Sequence, residues 1–445
     1  MGCGRQPTPS RFVLFVATKH VCMGLHQMIG LVDGNNFYVS CERIFDLSLE
    51  GRPVAVLSNN DGCVISRSPE FKALGIPMGT PFFQLRPLQA IHGLILKSSN
   101  YELYGDISRR VIATLQEFSP DVEQYSIDEA FIHLELPAGS DYAARALEIR
   151  RTVLNWVGIP CGVGFATSRT LAKIANHIAK KRPDGIFVMP QDASGILAEL
   201  PVSEVWGVGN RTATKLNKLG IFTAWQLAVA DQGELRKKFN VCLARTALEL
   251  NGKSVISPED PEQLSQSISC SRSFGHPVTD FDELVEAVAF YTARAAEKLR
   301  SEKQLAAGVN VYFQYFPESG SRQIAGGFAA ATVIFPEPVA HTAEILKCIH
   351  PRLPGLFCSG RRYKKAGIVF FGLEPAFSQQ PDLFAESPLR QKEKSLSSAV
   401  DQLNRTLGRG TIFNLAEGIA RPWAMKREHL SPNFTTSWEQ LPKAF

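Results

Sequence analysis

The feature that most constrains the fold is the order of short apolar strands and amphipathic helices between residues 29 and 166. Apolar runs and alternation bounded by turn residues predict five strands, at residues 29–32, 53–57, 122–126, 131–136 and 161–166. Apolar side chains at helical spacing predict two helices, at residues 104–118 and 143–157. With residues 37–97 set aside as an insertion, the order is β-α-β-β-α-β, the split βαβ pattern of an α+β fold. In that pattern the first and third strands are antiparallel neighbours, so the end of one lies beside the start of the other.

Acidic residues stand at both of these strand ends. Asp33 follows the first strand, and Asp128 and Glu129 stand in the turn that enters the third. We therefore expect three carboxylates to converge on one sheet edge, where repulsion and desolvation favour a bound cation. Oxygen ligands favour Mg²⁺, and two such ions can stabilise the attacking and leaving oxygens of a phosphoryl transfer. Each acid taken alone is more typical of a solvated turn; the pairing of strand ends favours a metal site.

Length and composition set broad limits. A chain of 445 residues predicts about three domains, and 44% apolar with 20% charged residues is ordinary globular usage. This excludes a collagenous, largely disordered or polytopic membrane protein. The formal net charge of +5 permits a nucleic-acid partner without requiring one. The nine cysteines include no C-x-x-C pair, which argues against a zinc site or a disulfide framework and favours a reducing cytoplasm.

The first 27 residues differ from the rest. An apolar run at residues 11–25 is interrupted by Lys19 and His20 and is too short to span a bilayer. No small-residue cleavage site of a signal peptide follows it. We expect the ordered chain to begin after Met28 and residues 1–27 to be an extension outside the fold.

Three short motifs, taken in order, resemble those of the Y-family translesion DNA polymerases. They are residues 32–42 (VDGNNFYVSCE), 125–130 (YSIDEA) and 162–173, which open with Gly-Val-Gly and end at a lysine. Further blocks resemble the UmuC-type branch, which contains the catalytic subunits of DNA polymerase V and plasmid-borne relatives. These are residues 58–65 (SNNDGCVI), 98–104 (SSNYELY), 270–275 (CSRSFG) and 425–428 (MKRE).

The resemblance implies a multidomain α+β polymerase shaped like a right hand. It has a βαββαβ palm, small fingers, a helical thumb with a helix-hairpin-helix, and an α/β little finger. The implied boundaries are palm at residues 28–38 and 98–189, fingers at 39–97, thumb at 190–255, little finger at 268–375, and a partner-binding region at 376–445. Alternation at Val309, Val311 and Phe313 predicts one of the little-finger strands.

The same resemblance assigns the metal and sugar sites. Asp33, Asp128, Glu129 and the backbone carbonyl of Gly34 are implied to bind two Mg²⁺ ions, the cofactor of nucleotidyl transfer. Tyr38 matches the steric gate, an aromatic ring under the sugar that leaves no room for a 2′-hydroxyl. Phe37 is its neighbour at the nucleotide, or else a core aromatic.

Two lysines are implied to bind the triphosphate. Lys173 follows Ser168, a residue able to cap a helix, and helix N-termini attract phosphate. The alternative for Lys173 is an exposed helix lysine. Lys72 stands where many family members have an arginine, and Pro69 replaces the tyrosine usual three residues earlier. Lysine lacks the bidentate fork of arginine, which affects nucleotide affinity.

Two regions are candidates for contact with the DNA backbone. Trp206 to Gly209, followed by Lys215, resembles a helix-hairpin-helix in which Gly207 and Gly209 let backbone N–H groups approach phosphates. Arg361 and Arg362 begin a basic run that encloses a tyrosine. Such a run is usually a solvated face, but the adjacent strand makes DNA contact an equal alternative.

Partner contacts are expected beyond the little finger. Residues 380–384 (QPDLF) resemble a sliding-clamp-binding peptide, with Leu383 and Phe384 entering an apolar pocket and Gln380 bonding at its rim. The resemblance further implies a processed UmuD-like dimer and a RecA filament as partners, besides primer-template DNA and dNTPs. It also implies a nucleoid-associated bacterial protein.

The sequence is therefore interpreted as an error-prone, template-directed DNA polymerase for damaged templates, active in SOS mutagenesis. A DNA-binding assembly protein recruited to stalled forks is the alternative, and intact carboxylates argue against it. A palm-type nucleotide cyclase would fit the acids and the sheet, but not the domains that follow.

Overall fold

The computed structural model describes residues 25–257, 264–317, 326–377 and 388–442. By its internal contacts the chain divides into two compact units. Unit 1 comprises residues 1–35 and 108–257, and unit 2 comprises residues 36–107 and 258–445. Each unit is thus built from two separate stretches of chain. None of the helices in the described ranges is long and apolar enough to cross a membrane.

The strands and helices of the described residues are as follows. The strands are β1 (Leu25–Gly34), β2 (Val54–Leu57), β3 (Val64–Arg67), β4 (Ile95–Ser98), β5 (Val122–Gln124), β6 (Glu129–Pro137), β7 (Cys161–Ala166), β8 (Ile186–Val188), β9 (Ile268–Val278), β10 (Gln304–Tyr315), β11 (Phe328–Val339) and β12 (Tyr363–Pro375). The helices are α1 (Phe37–Phe45), α2 (Pro69–Ala73), α3 (Phe82–His92), α4 (Tyr101–Gln116), α5 (Tyr142–Val157), α6 (Arg169–Ala179), α7 (Ser194–Glu199), α8 (Asn210–Lys218), α9 (Ala224–Ala228), α10 (Gln232–Lys238), α11 (Val241–Leu250), α12 (Phe281–Ser301), α13 (Thr342–Ile349) and α14 (Pro388–Thr406).

The sheet of unit 1 has the order β5-β6-β1-β7-β8. β1 is antiparallel to both β6 and β7, so the predicted adjacency of the first and third strands is confirmed. The predicted pattern omitted β8, which adds a short parallel strand beside β7. The second predicted helix agrees closely with α5, while α4 starts three residues before the predicted start of the first.

The expected start of the fold after Met28 is wrong by a few residues. β1 begins at Leu25, and its first three residues pair with the end of β6, Leu25 opposite Pro137 and Gln27 opposite Glu135. Because β6 continues to Pro137, the backbone of residues 25–27 finds hydrogen-bond partners there. Residues 1–24 lie outside the described residues.

The helices α7 to α11 share an apolar core with α6 and with this sheet. Ile29, Leu31 and Phe131 of the sheet share one buried apolar cluster with residues of α6 and of these later helices. The segment expected to form the helix-hairpin-helix turns at Gly207, whose φ of 83° suits glycine, and α8 begins after Gly209. The thumb region of unit 1 is therefore helical, as predicted.

Unit 2 contains two further sheets. Residues 36–107 form a three-stranded sheet, β3-β2-β4, with its own small core around Leu57, Phe71 and Leu85. The second sheet, β11-β10-β12-β9, spans residues 268–375, the range predicted for the little finger. Val309, Val311 and Phe313 all point into its core, as their alternation predicted.

The core of that second sheet also contains a residue from much later in the chain. Trp423 is 3% exposed and belongs to the same apolar cluster as the strands and α12. Its ring lies 5.5 Å from that of Phe290 and 5.7 Å from that of Tyr291, centre to centre. Part of the region beyond residue 376 is therefore packed within unit 2.

Candidate active site

The two acidic strand ends meet in unit 1. In the register of β1 and β6, Asp33 lies directly opposite Glu129. One residue further, the N–H of Gly34 donates to the carbonyl of Asp128 at 2.8 Å. Three carboxylate residues thus stand on adjoining ends of two central strands, as the split βαβ pattern predicts.

Asp33 is the most buried of the three. Burial raises its pKa to about 7; Lys180 opposes this shift, while the charges of Glu129 and Asp128 add to it. The Nζ of Lys180 donates to Oδ2 of Asp33 at 2.5 Å. The sequence interpretation missed Lys180, although it stands two helical turns after Lys173 and therefore on the same face of the helix.

Glu129 is paired with the lysine that was assigned to the triphosphate. The Nζ of Lys173 donates to both carboxylate oxygens of Glu129, at 3.3 and 3.1 Å. The same Nζ lies 4.1 Å from the ring centre of Tyr125 and 5.1 Å from that of Trp206. Two aromatic faces thus hold a cation beside the acidic cluster.

The helix α6, which carries Lys173 and ends just before Lys180, packs closely on β7. Ser168 caps its N-terminus by accepting from the N–H of Leu171, as predicted. A Cβ at Gly164 would lie 2.2 Å from the backbone N of Asn176, so only glycine allows this approach. The amide of Asn176 then donates to the carbonyls of Leu31 and Gly162, which ties the helix to two strands.

The donor set fits a divalent metal, although its side chains are not arranged as a ready metal-ligand group. No cluster of three or more His, Cys, Asp or Glu side chains suited to a metal occurs among the described residues. Asp33 and Glu129 are turned instead to their lysine partners. The carboxylates are nevertheless adjacent, and burial together with two acidic neighbours disfavours the charge of Asp33. A bound divalent cation would relieve that cost.

Tyr38, the predicted steric gate, belongs to unit 2 and lies on α1. Its half-buried ring stacks on that of Tyr104, with centres 4.5 Å apart and planes 15° from parallel. Phe37 is buried, with its ring centre 6.0 Å from that of Tyr38, which favours its interpretation as a core aromatic.

Lys72, the second predicted triphosphate ligand, is exposed on the short helix α2 of unit 2. Its Nζ donates to Oδ1 of Asn36, a residue with a left-handed φ of 49° just before α1. Pro69 occupies the first turn of α2, and Ser68 caps it by accepting from the N–H of Phe71. Proline suits that position because its ring pre-sets the helical φ. The departure from the usual tyrosine therefore has a local structural reason.

The residues predicted to contact DNA lie at the surface of their own units. Lys215 is exposed in the last turn of α8, after the turn that contains Gly207 and Gly209. The guanidinium of Arg361 lies 4.4 Å from the ring centre of Tyr315, and that of Arg362 lies 5.3 Å from the ring centre of Phe316. The predicted clamp-binding residues Gln380, Leu383 and Phe384 lie outside the described residues.

Comparison with known families covers most of the chain. Residues 32–177 match the impB/mucB/samB family, and residues 265–383 match the C-terminal domain of that family. Residues 190–221 match the IMS family HHH motif, in agreement with the predicted helix-hairpin-helix. Residues 394–444 match a family described as Domain of unknown function (DUF4113).

Individual relatives agree with this assignment. Protein UmuC of Salmonella typhimurium strain LT2 is 43% identical over 93% of this chain and 99% of its own length. DNA polymerase IV 1 of Bacillus subtilis is 31% identical over 66% of this chain and 71% of its own length. A solved Y-family DNA polymerase chimera of Dbh and Dpo4 superposes with a TM-score of 0.58 at 20% identity, covering 78% of this chain and 99% of its own. The chain therefore belongs to the impB/mucB/samB family, the UmuC-type branch of the Y-family translesion DNA polymerases.

Proposed function

We propose that this protein copies DNA past damaged template bases, using two Mg²⁺ ions held by Asp33, Asp128, Glu129 and the carbonyl of Gly34. It is a DNA-directed DNA polymerase of the Y family, and it depends on a divalent metal. The observation that carries the metal assignment is the register of β1 and β6, which sets Asp33 opposite Glu129 beside Asp128. When bound, such ions activate the primer 3′-hydroxyl and stabilise the leaving pyrophosphate.

The predicted nucleotide-binding residues have distinct tasks in the proposal. Lys173 leaves Glu129 and neutralises the triphosphate, while Lys72 provides a second positive charge. Tyr38 selects deoxyribonucleotides by occupying the space of a 2′-hydroxyl. Lysine as a point charge suits a site that must accept distorted substrates, because it imposes less orientation than an arginine fork.

Contacts outside the site hold the DNA and the partners. The backbone N–H groups at Gly207 and Gly209, with Lys215, bind the duplex backbone, and Arg361 and Arg362 bind it further along. Residues 380–384 bind the sliding clamp, and a processed UmuD-like dimer and a RecA filament complete the active complex at the bacterial nucleoid. Among these partners, the UmuD-like dimer is supported by the 43% identity to Protein UmuC.

Primer extension across an abasic site with Mg²⁺ tests the proposal. The full chain is assayed alone and with a UmuD-like dimer and a RecA filament. Asp128→Asn keeps the size of the side chain but removes its charge, so incorporation should fall at least about a hundredfold. Asp121→Asn, which neutralises an exposed carboxylate at the other end of β5 from Asp128, should leave incorporation unchanged.

Two results would contradict the proposal. Full incorporation by Asp128→Asn would remove the metal site. Template binding without incorporation in every arm, with the wild-type chain, would favour the alternative of a DNA-binding assembly protein.

A further inference from the structure

The ring of Tyr38 rests on a buried polar network within unit 2. Tyr104, on which it stacks, is fully buried, and its hydroxyl donates to Oε1 of Glu42 at 2.7 Å. Glu42 is only 1% exposed, and burial raises the pKa of its carboxyl. Its second oxygen, Oε2, has no hydrogen-bond partner within the described part of the chain. The orientation of this carboxylate therefore depends on the donors to Oε1.

The second donor to that oxygen comes from far along the chain. The hydroxyl of Ser431 donates to Oε1 of Glu42 at 3.0 Å. Ser431 is itself fixed by the buried amide of Asn100, which donates to its Oγ at 3.0 Å and to its carbonyl at 3.2 Å. Because that amide donates to Oγ, the hydroxyl proton of Ser431 is directed to Glu42.

Ser431 belongs to a segment that is bound along its length to residues 36–107. We call residues 424–434 the strap. The backbone N–H of Lys426 donates to Oδ1 of Asn60 at 3.0 Å, and the backbone N–H of Glu428 donates to Oδ2 of Asp61 at 2.9 Å. The backbone N–H of His429 donates to Oγ of Ser98, and the backbone N–H of Ser98 donates to the carbonyl of His429, both at 2.9 Å.

An aromatic contact holds the far end of the strap. The ring of Phe434 stacks on that of Phe45, the last residue of α1, with centres 4.8 Å apart. Tyr38 and Glu42 lie on this same helix. The strap thus contacts the helix that carries the gate at two points, Glu42 and Phe45.

We propose that the strap sets the position of the gate ring, and that Ser431 is a positioning residue for selection of the sugar. The inference rests on the proposed role of Tyr38. Ser431 fixes Glu42, Glu42 fixes the hydroxyl of Tyr104, and the ring of Tyr104 supports one face of Tyr38. This proposed role of the strap accounts for part of residues 394–444, which match a domain of unknown function. Loss of the serine hydroxyl frees the Tyr104 ring to tilt, and the gate then admits a 2′-hydroxyl.

The test measures sugar selectivity without catalysis. The full chain is bound to a primer-template with a dideoxy-terminated primer in Mg²⁺, and the Kd values for dATP and ATP are compared. Ser431→Ala should lower the preference for dATP about threefold to tenfold, the effect of one buried hydrogen bond, with little change in the Kd for dATP. The control is Ser437→Ala, at a serine just beyond the strap whose side chain does not cap the short helix that follows, and it should leave the preference unchanged.

A double-mutant comparison separates this inference from the function it rests on. Tyr38→Ala should lose the preference for dATP, and adding Ser431→Ala to it should have no further effect. If Tyr38→Ala loses the preference while Ser431→Ala keeps it within about twofold, the gate stands and the strap inference is wrong. If Tyr38→Ala keeps the preference, both are wrong. Should Ser431→Ala fail to fold, Ser431→Cys, of similar size and with a weaker donor, replaces it in the same test.

Discussion

At the scale of single residues, the site contains two pairs, each of one acid and one lysine. Lys180 pairs with Asp33, and Lys173 pairs with Glu129. Each lysine compensates a carboxylate that repels its neighbours, so the folded chain tolerates the cluster without a metal. Under the proposed function, Asp33 and Glu129 would hold the metal in place of their lysine partners, and the ammonium groups of Lys173 and Lys180 would then be available to the phosphates.

The raised pKa of Asp33 makes stability depend on pH in a defined direction. Its carboxyl titrates near 7 in the folded chain, against 3.8 as the ordinary value, so the folded state binds the extra proton between these limits. The stabilisation is therefore present at low pH and is lost as the pH rises through 7. Without metal, the free energy of unfolding should fall by up to about 3 kcal/mol from this residue between pH 5 and 8.

Urea unfolding in EDTA at both pH values measures this effect. Asp33→Asn cannot titrate and should lack that part of the decrease. Asp121→Asn, at an exposed site, should behave as the wild type. An equal decrease in Asp33→Asn and the wild type would show that Asp33 is not the group responsible.

At the scale of elements, the site depends on the contact between α6 and β7. Gly164 brings the helix backbone against the strand, and this places Lys173 beside the acidic cluster. The glycines of the third motif are thus explained by packing within the palm. They act on the chemistry only through the lysines that the helix presents.

Gly164→Ala should therefore damage both stability and the site. The added Cβ would lie 2.2 Å from the N of Asn176, so α6 must move away from the sheet. We expect a loss of about 1–3 kcal/mol in the free energy of unfolding, and weaker nucleotide binding because Lys173 moves with the helix. Denaturant unfolding and nucleotide titration measure the two effects.

Gly195→Ala is the matched control for that change. A Cβ at Gly195, in α7 of the same unit, meets no described atom within 4 Å. Its stability should be unchanged or slightly higher, because alanine favours a helix over glycine. If Gly164→Ala were as stable as Gly195→Ala, the close approach of α6 and β7 would not require glycine at position 164.

At the scale of the whole chain, the packing of unit 2 is completed by residues that come late in the sequence. Trp423 completes the core of the β11-β10-β12-β9 sheet. The strap follows Trp423 in sequence and binds residues of the β3-β2-β4 region. This region was predicted only as a partner-binding region. Its contacts within unit 2 show that part of it belongs to the fold.

Trp423→Ala should destabilise unit 2 strongly. Removing a buried indole from a packed core costs about 3–5 kcal/mol in the free energy of unfolding. Trp438, which is 91% exposed, provides the control, since Trp438→Ala should change stability little. Denaturant titration followed by circular dichroism compares them, and equal stability of the two variants would argue against the packing described for Trp423.

The sequence predicted local elements and the meeting of Asp33 with Glu129, because strand periodicity and the split βαβ pattern fix which strands are neighbours. It did not predict β8, whose three residues are too few for a clear period. It also missed Lys180, because its spacing from Lys173 shows a shared helix face but not which carboxylate the side chain reaches. The bond between Ser431 and Glu42 had no signal at all, because nothing in a single sequence marks two distant residues as neighbours.

That long separation has a consequence for biosynthesis. Glu42 and Ser431 are 389 positions apart, so residues 36–107 leave the ribosome long before the strap exists. At ordinary rates of translation the nascent chain carries this incomplete network for roughly 20–80 s. During that interval the carboxylate of Glu42 lacks one of its donors, so we expect residues 36–107 to be less stable in the nascent chain than in the finished protein.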